Sequence, residues 1–236
     1  MKKLVFKLTL VAFSALTGLT VSAQTADEVI AKYITAIGGA DNIRKINSMK
    51  IEGNVEVQGL EIPFTVAAVY NKGVRTDATF NGMEIIDIIT PEKGWSKNPM
   101  AGKSDLQPLT DDEFKQKVDQ LDIQDPLLDY AQKGSSVEAL GKDEADGNEY
   151  FKIKLTTKNK NESVYFFDLK TNLIYKIEET VNQQGQEIKV EQKVFDYQDT
   201  EIGVKMPFKK DLGGMVLATK KVTFNVPVDE SVFKGN

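Results

Sequence analysis

The stretch Ser48-Met49-Lys50-Ile51-Glu52-Gly53-Asn54-Val55-Glu56-Val57 decides the fold class. Met49, Ile51, Gly53, Val55 and Val57 alternate with Lys50, Glu52, Asn54, Glu56 and Gln58. Period two over ten residues is the pattern of a strand with one face on a core and the other in water. Residues 62–70, 74–80 and 83–90 continue it, joined by the turn formers Asn71-Lys72-Gly73 and Asn81-Gly82, so neighbouring strands pair antiparallel. Pro63 lacks a ladder donor and places an edge or a bulge at the start of its strand. Pro91-Glu92-Lys93-Gly94 turns into a short strand at 95–97.

Downstream, strands are expected at 137–142, 149–156, 162–168, 173–181, 187–197, 205–211 and 215–224. The short turn-rich connections between them, such as Asp146-Gly147 and Lys170-Thr171-Asn172, favour a meander. Residues 98–134 break the pattern. Thr110-Asp111-Asp112-Glu113 is a capping box ahead of a helical stripe of Phe114, Val118 and Leu121. Asp125-Pro126 predicts a further helix carrying Leu127, Leu128 and Tyr130 to a stop at Gly134, with Asp as N-cap and Pro at the first position. Near the start, Thr25-Ala26-Asp27-Glu28 is another capping box. Val29, Ile30, Tyr33, Ile34 and Ile37 follow at helical spacing to Gly38-Gly39, and a short turn covers 41–46.

Residues 1–23 read as a secretory signal peptide, with a Met1-Lys2-Lys3 n-region, an apolar run from Leu4 to Val21 and a small-x-small site at Val21-Ser22-Ala23. No cysteine stands at that junction, so the chain is not itself a lipoprotein. Cleavage takes Lys2, Lys3 and Lys7 with it, and the remaining 213 residues hold 27 basic and 35 acidic groups, a net charge of −8. That charge argues against binding nucleic acid through its phosphates. The 236 residues contain no cysteine and no histidine. Those two zeros remove Ser-His-Asp and Cys nucleophile chemistry, thiolate and imidazole metal sites, and disulfides. Complementing the helix dipole explains the acids after Thr110 without a metal, and Asp143 to Gly147 fits a hairpin better than a calcium loop. No carboxylate pair is singled out for glycosidase chemistry, so an enzyme is not the reading, and no cofactor is expected.

The pattern predicts an α+β chain, mostly β. Residues 24–236 form a single domain: one curved antiparallel sheet of about 11 strands that does not close, a half-barrel, with three helices as lid or plug. A flat sheet of that many strands at about 4.8 Å spacing is roughly 50 Å wide. Three helices about 10 Å across cover only part of it, so the sheet curls or leaves apolar surface open. An apolar pocket in the mouth of such a sheet binds acyl chains or other hydrophobic molecules. An interior filled by side chains fits the same pattern.

This order of parts resembles the LolA-like family of lipoprotein carriers. The similar stretches are Tyr33-Ile34-Thr35-Ala36-Ile37-Gly38-Gly39, Gly94-Trp95-Ser96-Lys97-Asn98-Pro99, Asp125-Pro126-Leu127-Leu128 and Thr223-Phe224-Asn225-Val226-Pro227 with Val232-Phe233. The resemblance implies an unclosed barrel with a helical lid over a hydrophobic cavity. It also implies a periplasmic carrier, taking acylated lipoproteins or other lipids from an inner-membrane donor protein to an outer-membrane acceptor. This sequence departs from the family where the enterobacterial carrier has an arginine before a proline, since Tyr70-Asn71 stands there and Arg75 lies on the next strand.

The candidate cavity residues are Val55, Val57, Phe64, Val66, Ile86, Ile88, Trp95, Phe114, Leu121, Leu127 and Leu128, with Trp95, the sole tryptophan, at the rim. Ordinary core packing is the plainer account of each of the others. Met100, Met206 and Met215 are candidates for adaptable apolar lining, with gap filling as the ordinary account, and Arg44 and Arg75, the only arginines, either meet an anionic head group or, as the ordinary account has it, are solvated surface charges. A monomer is expected, with residues 111–134 as the part that moves on release. The rival is a non-enzymatic envelope interaction or sensing module on the same fold, with a filled interior and a partner on an edge strand.

Overall fold

The computed structural model describes residues 25–145, 147–183 and 186–235, so the leader segment 1–23 lies outside the described residues. Helix α1 (Ala26–Ala36) opens with the expected capping box: Thr25 Oγ1 accepts from the Glu28 N–H and Glu28 Oε2 from the Thr25 N–H, both at 3.2 Å. It stops at Gly38 and Gly39, whose φ of 113° and 85° no β-carbon favours. Gly38 is doubly constrained, because a β-carbon there would stand 2.0 Å from the Gly203 carbonyl oxygen. Helix α2 (Ala40–Ile43) is one turn.

Thirteen strands follow: β1 (Ser48–Val57), β2 (Leu60–Val69), β3 (Gly73–Phe80), β4 (Met83–Ile89), β5 (Gly94–Asn98), β6 (Lys103–Pro108), β7 (Ser136–Ala145), β8 (Asn148–Thr156), β9 (Glu162–Asp168), β10 (Ile174–Gln183), β11 (Gln186–Asp199), β12 (Lys205–Asp211) and β13 (Met215–Phe224). Helix α3 (Asp111–Lys117) and a 3-10 turn (Val118–Leu121) lie between β6 and β7. All thirteen strands belong to one antiparallel sheet in the order β6-β5-β4-β3-β2-β1-β13-β12-β11-β10-β9-β8-β7. Its ends, β6 and β7, are not paired with each other, so the barrel stays open. Pro63 is accommodated because the β2–β3 ladder starts only at Phe64.

The lid shows how far the sheet curls. Eight strand spacings, about 38 Å if flat, separate β4 from β9. Yet Lys117 Nζ reaches Asp87 of β4 at 2.8 Å, while Asp119, two residues on, accepts from Thr157, Asn159 and Asn161 between β8 and β9. Both edges therefore turn toward one short segment.

Two expectations are corrected. Residues 125–134 form successive turns and no helix. Asp125 has φ of 94° and Asp129 of 52°, and a left-handed residue at each point breaks the i to i−4 ladder. The Asp125 carboxylate does accept from the Leu127 N–H, as an N-cap would, but it also accepts from Tyr33 Oη at 2.7 Å and is held by α1. The three α-helices among the described residues are thus α1, the turn α2 and α3. The second correction is β6, inside the stretch expected to break the strand pattern. It pairs only with β5, and Lys103, Asp105 and Pro108 show the charge and proline of an edge strand and not an alternating face.

Apolar packing forms two clusters on one face of the sheet. Under α1, Val29, Ile30, Tyr33, Ile34 and Ile37 meet Phe151, Ile153, Leu155, Phe167, Ile174, Val194 and Phe224 from five strands, with Leu127 and Leu128 wedged between. Side chains buried to this degree each stabilise the fold by about 1.5–3 kcal/mol. A smaller cluster joins Ala68, Val74 and Ile89 to Leu121 under the 3-10 turn.

Candidate functional site

Strand register assigns every side chain to a face, because directly paired residues point the same way. The run Ile62–Val55–Leu217–Lys210–Val194 crosses β2, β1, β13, β12 and β11 on the face that carries the helices. Along this face burial falls off away from α1. Beneath α1, Val194, Ile174 and Phe224 are 3–7% exposed. Away from it Val55, Val57, Ile62, Phe64, Phe80, Met83, Ile85 and Leu217 are only half-buried, and Leu60 (50%), Met215 (37%) and Ile188 (37%) are open to water. The half-barrel is filled beneath α1 and leaves an apolar trough beyond it.

The lid closes over one side of this trough. Besides Lys117 and Asp119, Glu113 is tied to Lys103 at 2.6 Å, the Leu121 carbonyl accepts the Asn71 N–H at 3.0 Å, and the Gln124 amide donates to the Arg44 and Ile46 carbonyls. Lys133 pairs with Asp122 at 2.6 Å. The Tyr70-Asn71 junction, where the sequence departs from the family's arginine, is thus a place where the lid is fastened. A cleft of about 280 Å³ separates the lid residues Gln116, Asp119 and Pro126 from Leu155, Tyr165, Glu179 and Val181 of the sheet. A larger one of about 650 Å³ opens beside Phe114, Val118, Leu121, Tyr70 and Lys133.

Polar groups also face the trough. Gln192 donates to Glu179 at 2.9 Å, and burial pushes the Glu179 carboxyl up. Burial also lowers the Lys210 ammonium, with Glu179 opposing the shift. Lys210 is nonetheless exposed, more so than its neighbour Lys209, as a side chain over an open concavity is. Beneath α1, burial raises Asp125 despite the bonds from Tyr33 and Leu127 that favour its charged form, and desolvation lifts Tyr33 and Tyr165 well above the usual phenol range.

The sequence-derived candidates divide among these places. Val55, Val57, Phe64 and Val66 lie on the trough face, and Phe114 and Leu121 approach from the lid. Leu127 and Leu128 sit in the core beneath α1. Ile86, Ile88 and Trp95 occupy the opposite face: Asp87 points to the lid, so alternation sends its neighbours away. There the row Arg75–Ile88–Trp95 is covered by the C-terminal segment. Arg75 Nη1 donates to the Val232 carbonyl at 3.2 Å and pairs with Asp77, Phe233 packs on Gly73, and Gly235 lies against the indole. Sequence reasoning missed Met83, Ile85 and Leu217 in the trough, as well as Lys210 and Glu179. The strand Met83-Glu84-Ile85-Ile86-Asp87-Ile88-Ile89 is apolar at both parities, so its pattern does not say which isoleucines face inward.

Comparison with solved structures adds the fold's relatives. A LolA superfamily protein from Nitrosomonas europaea superposes with a TM-score of 0.56 at 14% identity, covering 90% of this chain and 98% of that one. The chain has the LolA-like fold. A DUF1329 family protein from Desulfovibrio piger (0.54, 13% identity, 87% and 97% covered) and a domain named for outer membrane lipoprotein sorting from Vibrio parahaemolyticus (0.51, 13% identity, 87% and 94%) share it. No family model matches the chain, and no curated protein sequence does. Within this LolA-like fold no helix of the described residues is long and apolar enough to cross a membrane.

Proposed function

We propose that the protein is a divergent LolA-type periplasmic carrier, exported by residues 1–23, whose single domain, residues 24–236, binds the acyl chains of lipoproteins or other lipids. Cargo passes from an inner-membrane donor to an outer-membrane acceptor with the protein acting as a monomer, and no covalent chemistry is involved. The observation that carries this reading is the burial gradient along one sheet face, from a packed region under α1 to the half-exposed apolar trough around Val55, Val57, Phe64 and Ile85. Covering that surface with hydrocarbon gains about 0.8 kcal/mol per buried methylene, so acyl chains bind without a dedicated charge. The lipoprotein-sorting name of one structural relative points the same way.

The test is native mass spectrometry of protein purified without detergent, followed by organic extraction. Bound acyl lipid is expected in the wild type and lost in Val57→Glu and Ile85→Glu, both at half-buried positions, with thermal melts of both variants expected to match the wild type. A clean apo mass that stays unchanged on adding lipopeptide or fatty acid overturns the reading. It moves the assignment to an interaction module that captures a partner on an edge strand.

A further inference from the structure

The run Ile62–Val55–Leu217–Lys210–Val194 contains one charge. On an antiparallel sheet with one buried face, lysines belong on the wet side, and Lys209, its neighbour, is there, paired with Ala218 and Phe195. Lys210 instead stands among aliphatic side chains. It has no hydrogen bond or ion pair among the described residues; Glu179, the acid whose charge acts on it, accepts a hydrogen bond from Gln192. A cation in a solvent-reachable apolar concavity with no hydrogen-bonded or contact ion-paired acid is complementary to an anion at the end of an apolar chain.

We infer that the trough seats a fatty-acid carboxylate, its two oxygens on Lys210 Nζ and its chain laid along Val55, Leu217 and Ile62. This rests on the proposed lipid-binding reading and narrows the cargo from acyl chains at large to a monoanionic amphiphile. The surroundings favour a carboxylate over a phosphodiester: Lys210 is the single donor in its row, Gln192 is engaged, and the head group beyond a phosphodiester brings polar atoms against Leu217 and Val55 with nothing to bond them.

Calorimetry on the delipidated full-length protein tests this with dodecanoic acid and 1-dodecanol, which share a chain and differ in charge. The wild type is expected to bind dodecanoate at least tenfold more tightly than the alcohol, as a hydrogen bond to a charged group requires. Lys210→Gln removes that preference and leaves alcohol binding unchanged, Lys210→Arg restores it, and Lys209→Gln on the wet face changes neither. Equal dodecanoate binding by wild type and Lys210→Gln overturns the carboxylate seat while leaving the lipid-binding reading intact. Failure of the wild type to bind either ligand overturns that reading itself. A Lys210-dependent preference for lysophosphatidylglycerol over lysophosphatidylcholine, without one for dodecanoate, overturns the carboxylate in favour of a phosphate.

Discussion

Asp119 is the point at which one change loosens the lid's hold on the β8–β9 side of the sheet. Its carboxylate accepts three hydrogen bonds, from Thr157 Oγ1 at 2.7 Å and from Asn159 and Asn161 Nδ2 at 2.6 Å each. All three donors sit on the β8–β9 connection, across the trough from β4. Hydrogen bonds to charged groups contribute roughly 1.5–3 kcal/mol apiece when buried, and partial exposure here reduces each toward about 1 kcal/mol. Asp119→Ala therefore costs about 3 kcal/mol of lid attachment, while Lys117–Asp87 and the Asn71 bond to the Leu121 carbonyl remain. Hydrogen exchange followed by mass spectrometry reads this directly. At about 1.4 kcal/mol per factor of ten, amides of residues 111–121 should lose about a hundredfold protection, while those of β8 and β10 keep theirs. Protection of the lid within threefold of wild type would refute the reasoning. So would an equal loss across lid and sheet, which would make the lid an inseparable part of the core.

Three further outcomes follow from the packing. Leu127→Ala empties a fully buried site under α1 and should cost about 2–5 kcal/mol in urea denaturation, whereas Val57→Ala on the open trough should cost under about 1 kcal/mol. Gly38→Ala meets both the 2.0 Å approach of the Gly203 carbonyl and a φ of 113°, and should cost about 2 kcal/mol or more; an unchanged melting temperature would contradict that. Asp125 has a folded pKa raised above its unfolded one, so its contribution opposes folding above the folded pKa and is relieved as pH falls through it. Asp125→Asn, whose amide oxygen can accept from the Leu127 N–H while its NH2 donates to the Tyr33 hydroxyl, should be at least as stable as wild type at pH 7. That advantage should shrink on acidification, as paired melts from pH 7 to 4 will show.

The sheet was legible because alternation in β1, hairpin turns such as Asn81-Gly82 and two capping boxes are local signals that tertiary structure had no reason to override. The missed elements have tertiary causes. Asp125 looks like an N-cap in sequence, but Tyr33 pulls its carboxylate toward α1 and the chain enters left-handed turns. Strand β6 has no alternating face because it lies on an edge, where charge keeps other chains away. Within the site, Val55, Val57 and Phe64 were readable since their strands alternate. Ile86 and Ile88 were not, because Asp87 fixes their direction only by meeting Lys117 thirty residues later. Lys210 was invisible for the same reason: only its pairing with Val194 reveals which of two consecutive lysines turns inward.

The covered side of β5 also determines what an optical experiment on this protein can see. The single indole lies on the face opposite the trough, half-buried under Gly235 and with the Lys93 ammonium 4.9 Å from its ring centre. Intrinsic emission is therefore a gauge of whether the last residues stay docked on β3 to β5, and is blind to occupancy of the other side. A titration that leaves the emission maximum in place says nothing against cargo. A red shift reports the far end of the chain lifting off, and binding itself needs a dye or an isotope placed at the trough.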